Sequence, residues 1–265
     1  MILYFSATGN SRYVARLLAE ELGDRRSVDL SPLLKGQKTK EPLSVLPGER
    51  IGFVFPVHCW GMPKVLARLT GNLPLQGIDN AGYTYMVCTC GDDTGLTAAQ
   101  WRKCMEKAGL HGAASFSVAM PNTYVLLPGF DVDAPEVARR KVETAPEAVH
   151  RIAEQVKAET AGDFTHHGSV AWLKSKVVYP LFEALLFDKP FRVDEGRCVS
   201  CGACERVCPT GNISLSGSPK HPTWHGRCIN CLACYHRCPA ECIEFGKVTC
   251  SKGHYHGVAD YVDQR

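Results

Sequence analysis

The chain of 265 residues lacks any run of eighteen apolar residues, so no part of it reads as a transmembrane helix. Its opening stretch, Met1-Ile-Leu-Tyr-Phe5, is strand-like and lacks the charged lead and cleavage site of a signal peptide. A dominant charge is missing too. The 30 basic and 27 acidic residues leave a net charge of +3. Residues 1–160 hold 18 basic and 17 acidic side chains, and residues 161–265 hold 12 and 10. Neither half has the basic density of a nucleic-acid binder. No Gly-Lys-Ser/Thr loop and no Gly-x-Gly-x-x-Gly fingerprint occurs, which argues against a Walker site and a nicotinamide dinucleotide fold. What is present is a hydrophobic content of 45%, enough for a real core in one large domain or two smaller ones.

Cysteine, by contrast, is abundant, at fourteen residues. Eight of them form two copies of one pattern: Cys198-x2-Cys201-x2-Cys204-x3-Cys208-Pro209 and Cys228-x2-Cys231-x2-Cys234-x3-Cys238-Pro239. Zinc needs two CxxC knuckles and has no place for a third cysteine at the next two-residue gap. A disulfide framework suits a small secreted chain, which this is not. Over residues 190–247 the chain resembles a bacterial two-cluster ferredoxin, whose run of this spacing holds [4Fe–4S] clusters and lends its fourth cysteine to the other cluster. The resemblance implies one cluster on Cys198, Cys201, Cys204 and Cys238, and a second on Cys228, Cys231, Cys234 and Cys208. Cys242, in Cys238-Pro-Ala-Glu-Cys242, reads as a small packed residue. Thiols, clusters and no export signal together lead to the expectation of a cytoplasmic protein.

The first 160 residues alternate apolar runs with amphipathic ones. Strands are expected at 1–5, 26–30, 50–57, 82–89 and 113–119, and helices at 11–22, 63–72, 95–109 and 134–160. In the first helix Val14, Leu17, Leu18 and Leu22 share a stripe, and Gly23 caps the end. Such alternation implies an α/β fold with a doubly wound parallel sheet, and five strands fit the flavodoxin order. A helical connector at 163–189, interrupted at Pro180, should pack on both domains. Residues 248–265 read as an ordinary tail.

Three loops lie at strand ends in the first half. Phe5-Ser6-Ala7-Thr8-Gly9-Asn10-Ser11-Arg12 offers short polar side chains and a glycine just before a helix, a phosphate-binding arrangement. It resembles the flavodoxin loop that holds the phosphate of FMN. Pro56-Val57-His58-Cys59-Trp60-Gly61 carries a Trp that can stack on a flavin and a glycine that lets backbone approach. Thr89-Cys90-Gly91-Asp92 is similar to the flavodoxin stretch lining the other side of the ring. His58 reads as hydrogen-bonded structure, and neither Cys59 nor Cys90 has a base to make it a nucleophile. The loop from Met120 to Pro128 follows the fifth strand and could roof the site.

A flavodoxin-like half joined to a ferredoxin-like half resembles the fusion flavoproteins. That resemblance implies FMN, two [4Fe–4S] clusters and electron transfer between them and an external low-potential carrier. A redox partner protein is expected, with no nucleic acid and no membrane span. Two alternatives stay open: a reductase acting on a small-molecule substrate at FMN, or a carrier that only feeds a separate enzyme.

Overall fold

In a computed structural model, which describes residues 1–38, 42–185 and 187–262, the apolar runs of the first half become one parallel sheet. Its strands are β1 (Ile2–Tyr4), β2 (Ser27–Asp29), β3 (Glu49–Pro56), β4 (Ala81–Cys90), β5 (Gly112–Ala119) and β6 (Gly162–Phe164). The spatial order is β2-β1-β3-β4-β5-β6, and every pairing is parallel. The first five positions follow the flavodoxin order, with its switch point between β1 and β3. The expected count of five is corrected to six. The extra strand, Gly-Asp-Phe, holds one large apolar side chain, and Phe164 is held by stacking on Phe116 at 5.3 Å.

Period-two alternation sends side chains to both faces of the sheet. From β4, Tyr85 and Val87 join a core with Val14 and Leu18 of helix α1 (Asn10–Leu22) and Val142 and Val149 of a second long helix, Pro135–Lys157. Met86 and Cys88 join the opposite core with Leu66, Ala98, Trp101 and Met105, from helices Lys64–Thr70 and Thr97–Lys107. The sheet is thus covered on both sides, as a parallel sheet requires. Gly23 at φ 64° ends α1, where a side chain would be strained.

The C-terminal part is built from two short antiparallel pairs. Phe191–Val193 pairs with Ile243–Phe245, and Ile213–Ser216 pairs with His221–Trp224. One-turn helices Ala203–Val207 and Ala233–His236 begin just before the third cysteine of each run. The small core between them is lined largely by cysteine, with Phe191, Ile213, Leu232, Tyr235 and Ile243.

Two expectations are revised. Pro180 does not interrupt the connector, which is helical from Ala171 to Ala184. A widened turn at Lys174–Val178 precedes the proline, which then sits in the first turn of the next segment, where its missing N–H costs little. The tail is not ordinary either. Tyr255 and Val258 are buried in the first sheet's core, beside residues such as Ile2 and Val14. Leu186 of the connector and residues 263–265 of the tail lie outside the described residues. No helix among the described residues is long and apolar enough to cross a membrane.

Candidate functional site

A pocket opens at the C-terminal ends of β1, β3 and β4, where a doubly wound sheet binds its ligand. Ser6, Thr8, Asn10, Ser11, Pro56, Val57, His58, Thr89, Cys90 and Gly91 all line it. Gly9, Trp60, Gly61 and Asp92 are not in its lining.

The first loop divides its labour differently from its sequence pattern. Asn10 is buried and fully engaged: its Nδ2 donates to the Pro121 carbonyl at 2.9 Å, and its Oδ1 accepts from Tyr255 Oη at 2.6 Å. Ser11 Oγ pairs with Thr89 Oγ1 at 2.7 Å and ties α1 to the end of β4. Ser6 Oγ accepts from the Gly9 N–H at 3.2 Å and holds the turn. Gly9 has φ 109°, a conformation that disfavours any side chain. Helix α1 has no side-chain cap at its amino end, so its first N–H groups and dipole remain for an anion. Backbone donors and the Thr8 hydroxyl, beside an uncapped thirteen-residue helix, fit a phosphate group.

Sequence reading missed a cation here. Arg237, from the second cysteine run, donates to the Thr8 carbonyl at 2.9 Å. A Cβ at Gly9 would lie 2.9 Å from its guanidinium, so a side chain there would make Arg237 shift. No local signal could place residue 237 against residue 8.

The second loop turns sharply. His58 and Gly61 exchange backbone hydrogen bonds at 2.9 and 3.0 Å, with Cys59 and Trp60 between them at φ 46° and 61°. Positive φ at both central positions is the type I′ pattern, unusual for these residue types. The connector holds it there. Ser175 Oγ donates to the Trp60 carbonyl at 2.8 Å and accepts from the Leu96 N–H at 2.7 Å. Lys174 lies over the indole at 5.1 Å and pairs with Asp93 at 2.5 Å. The Tyr179 ring lies against Gly61 and leaves no room for a Cβ there. Trp60 and Gly61 therefore serve the connector in this arrangement. His58 remains in the pocket, and burial pushes its pKa down to about 4, so it is neutral near pH 7. Burial pushes the Cys59 and Cys90 thiols up, to about 11 and 12, so neither is a thiolate near neutrality.

The third wall comes from the loop after β5 and from the C-terminal half. Met120 to Tyr124 line the pocket, with Phe182 of the connector and Asn230, Cys231 and Leu232. The loop is pinned from both sides. Asn122 N–H donates to Asp133 at 3.0 Å, and His236 Nε2 donates to the Thr123 carbonyl at 2.7 Å. Val125 and Leu126 are buried in the cysteine-rich core.

The eight motif cysteines surround two small cavities. Cys198, Cys201, Cys204 and Cys238 line one, and Cys208, Cys228, Cys231 and Cys234 line the other. These are the two sets that the exchange of fourth cysteines implies. Among the described residues, no three His, Cys, Asp or Glu side chains converge tightly enough for one metal ion. Four thiols spread around a volume suit a multi-atom cluster. Cys242 lines the first cavity, with its sulfur 3.4 Å from that of Cys238. Cys231 belongs both to the second cysteine cavity and to the large pocket.

Residues 191–214 match the family described as a 4Fe-4S binding domain. No curated protein matches the chain. Among solved structures, a flavodoxin from Streptococcus pneumonia TIGR4 is 13% identical, with a TM-score of 0.35 over 60% of this chain and 97% of that one. An NAD(P)H:quinone oxidoreductase from Methanothermobacter marburgensis is 16% identical, with a TM-score of 0.32 over 59% and 94%. An FMN-dependent NADH-azoreductase from Bacillus anthracis str. Ames Ancestor is 12% identical, with a TM-score of 0.31 over 57% and 98%.

Proposed function

We propose that the chain is an electron-transfer flavoprotein, passing electrons between an external low-potential carrier, two [4Fe–4S] clusters and FMN. The observation that carries this reading is one pocket with two kinds of wall. Ser6, Thr8 and the uncapped end of α1 form one side, and Cys231 of the second cysteine set reaches the other. When bound, FMN would exchange electrons in pairs or singly, and each cluster would exchange them one at a time. The chain's own part is to hold these groups at fixed separation and exclude water. Thr8 and the α1 backbone would hold the phosphate, and Val57, Pro121 and Leu232 would bound the apolar space. His58 and Gly91 would meet the ring edge, with His58 neutral there. Cys198, Cys201, Cys204 and Cys238 would form the outer ligand set, because none of them lines the pocket. Cys208, Cys228, Cys231 and Cys234 would form the inner set.

A reductase acting on a small molecule at FMN is the second reading. It is favoured by the aromatic rim, where Tyr124 and Phe182 meet edge to face at 6.0 Å.

Anaerobic purification with iron, sulfide and flavin analysis comes first. About eight iron and eight sulfide per chain are expected. Reduction of bound flavin by a low-potential carrier is then followed by stopped flow in the parent and in Cys231→Ser. Retained flavin with at least tenfold slower reduction supports the internal route. An unchanged rate would show that electrons reach the flavin without the inner ligand set. Turnover of an acceptor panel without partner protein would favour the second reading.

A further inference from the structure

Two open clefts run along the seam between the halves, of about 550 and 590 Å³. Lys64, Arg68 and Arg227 line the first, together with the motif cysteine Cys228. Arg12, Arg206 and Arg237 line the second. Lys35 lines both, and its Nζ donates to the Arg206 carbonyl at 2.9 Å across the seam. Among the described residues, the acidic side chains lining these clefts are Glu183 and Asp29. Burial pushes the Glu183 carboxyl up, while Lys64 and Arg68 beside it pull it down. The whole chain has 30 basic and 27 acidic residues. Outside the clefts, 23 basic and 25 acidic residues remain. The net positive charge is therefore gathered at the seam, and the rest of the chain is slightly acidic.

Four of these cations, Lys35, Arg206, Arg227 and Arg237, donate only to backbone carbonyls, which leaves their charge unneutralised. Among the described residues none of the seven makes an ion pair, whereas Arg16, Arg102, Lys141, Arg151, Lys157 and Lys174 elsewhere all do. Five of them, Arg12, Lys64, Arg68, Arg206 and Arg227, are exposed. Exposed like charges outside ion pairs repel one another and raise the local potential, which attracts a partner of opposite sign.

We infer that this seam is the docking surface for an acidic one-electron carrier protein, and that exchange occurs through the cysteine set containing Cys228. The inference rests on the electron-transfer reading above and adds where the carrier sits and what charge it bears. The cations spread along two clefts and do not converge on one point, which suits a protein surface better than a small anion. Among the described residues the rings lining the clefts are Tyr4 and His58, one in each, whereas single-stranded nucleic acid needs a series of stacking rings. Cys228 and its partners would hold the iron–sulfur group, which when bound would take one electron from the reduced carrier in each event. No bond forms or breaks.

The test is binding of a strongly acidic two-iron ferredoxin to the anaerobically isolated holoprotein, measured by calorimetry at low and high salt. Three proteins are compared: the parent, Lys64→Glu with Arg68→Glu, and Lys103→Glu on the exposed face of helix Thr97–Lys107. Expected is a loss of about tenfold in affinity at low salt for the double reversal, shrinking at high salt as screening removes the attraction. Lys103→Glu should bind like the parent. Affinity independent of salt, or equal in the double reversal and the parent, would overturn the docking surface. Iron and flavin content and dithionite reduction of the flavin are measured on the same samples. If the parent lacks internal reduction, the electron-transfer reading fails and takes the inference with it. If internal reduction persists while binding ignores the reversal, only the docking surface fails.

Discussion

Thr8 is where the chemistry of the pocket is most exposed to a single substitution. It is only 7% exposed, lines the pocket, and keeps its shape when changed to Val. Losing a hydroxyl donor to a charged group costs about 1.5–3 kcal/mol, so Thr8→Val should weaken FMN about tenfold or more in a fluorescence titration. Equal affinity would remove Thr8 from the phosphate site. His58 gives a pH prediction. Its folded pKa of about 4 lies below the ordinary 6.5, so the folded state disfavours its charged form. Its contribution to stability is complete above about pH 6.5 and is lost as pH falls toward 4, by at most about 1.4 kcal/mol per pH unit. Denaturant unfolding of His58→Gln should show a shallower fall across that window than the parent. The roles of Asn10 and Ser11 show the limit of reading residues locally. Both sit in a polar loop, yet their partners are residues 255 and 89, chosen by packing and not by spacing.

Among the elements, the connector differs most from its sequence appearance. Its apolar content suggested burial, but Trp172, Leu173, Val177, Leu181 and Leu185 are exposed. Polar and aromatic groups fasten it instead: Lys174 to Asp93, Ser175 to Trp60 and Leu96, and Tyr179 Oη to the Met62 carbonyl at 2.5 Å. Ser175 is buried and serves two backbone groups, so Ser175→Ala should leave both without partners. A cost of about 2–4 kcal/mol is expected, at about 1–2 kcal/mol per group. Chemical denaturation should show it, together with faster proteolysis in 171–184. Parent-like resistance would mean that the ion pair and Tyr179 suffice. The long helices and central strands, by contrast, were legible to within three residues at each end, because each shows several cycles of its hydrophobic period. Strand β6 was not, because Gly162 and Asp163 disfavour a strand and leave Phe164 as its one large apolar side chain.

At the scale of the whole molecule, the halves are interlocked. Arg237 reaches Thr8, His236 holds Thr123, and Tyr255 bonds Asn10 while filling the first core. A chain ending at Lys252 loses the buried Tyr255 and Val258 from that core. Truncating a large buried aromatic side chain costs about 3–5 kcal/mol. The shortened chain should therefore unfold at clearly lower urea, reported by the buried Trp101. An unchanged midpoint would make the tail an accessory. The interlock also bears on electron transfer, since cofactors held in one body exchange electrons at a rate independent of protein concentration. Dilution of the holoprotein should leave internal flavin reduction unchanged, and a rate that falls with dilution would indicate transfer between molecules.

The sequence alone determined the doubled cysteine pattern, the alternating α/β order and the polar turn after the first strand. Those features are local, written in spacing and period within about twenty residues. Tertiary structure decided which walls meet. It brought Cys231 to the loop at Ser6 and Thr8, set Arg237 over Gly9, moved Trp60 and Gly61 onto the connector, and gathered seven cations at one seam. Each of these joins residues more than a hundred positions apart or balances charges drawn from both halves. No local pattern encodes them, because they follow from how two packed cores fit together.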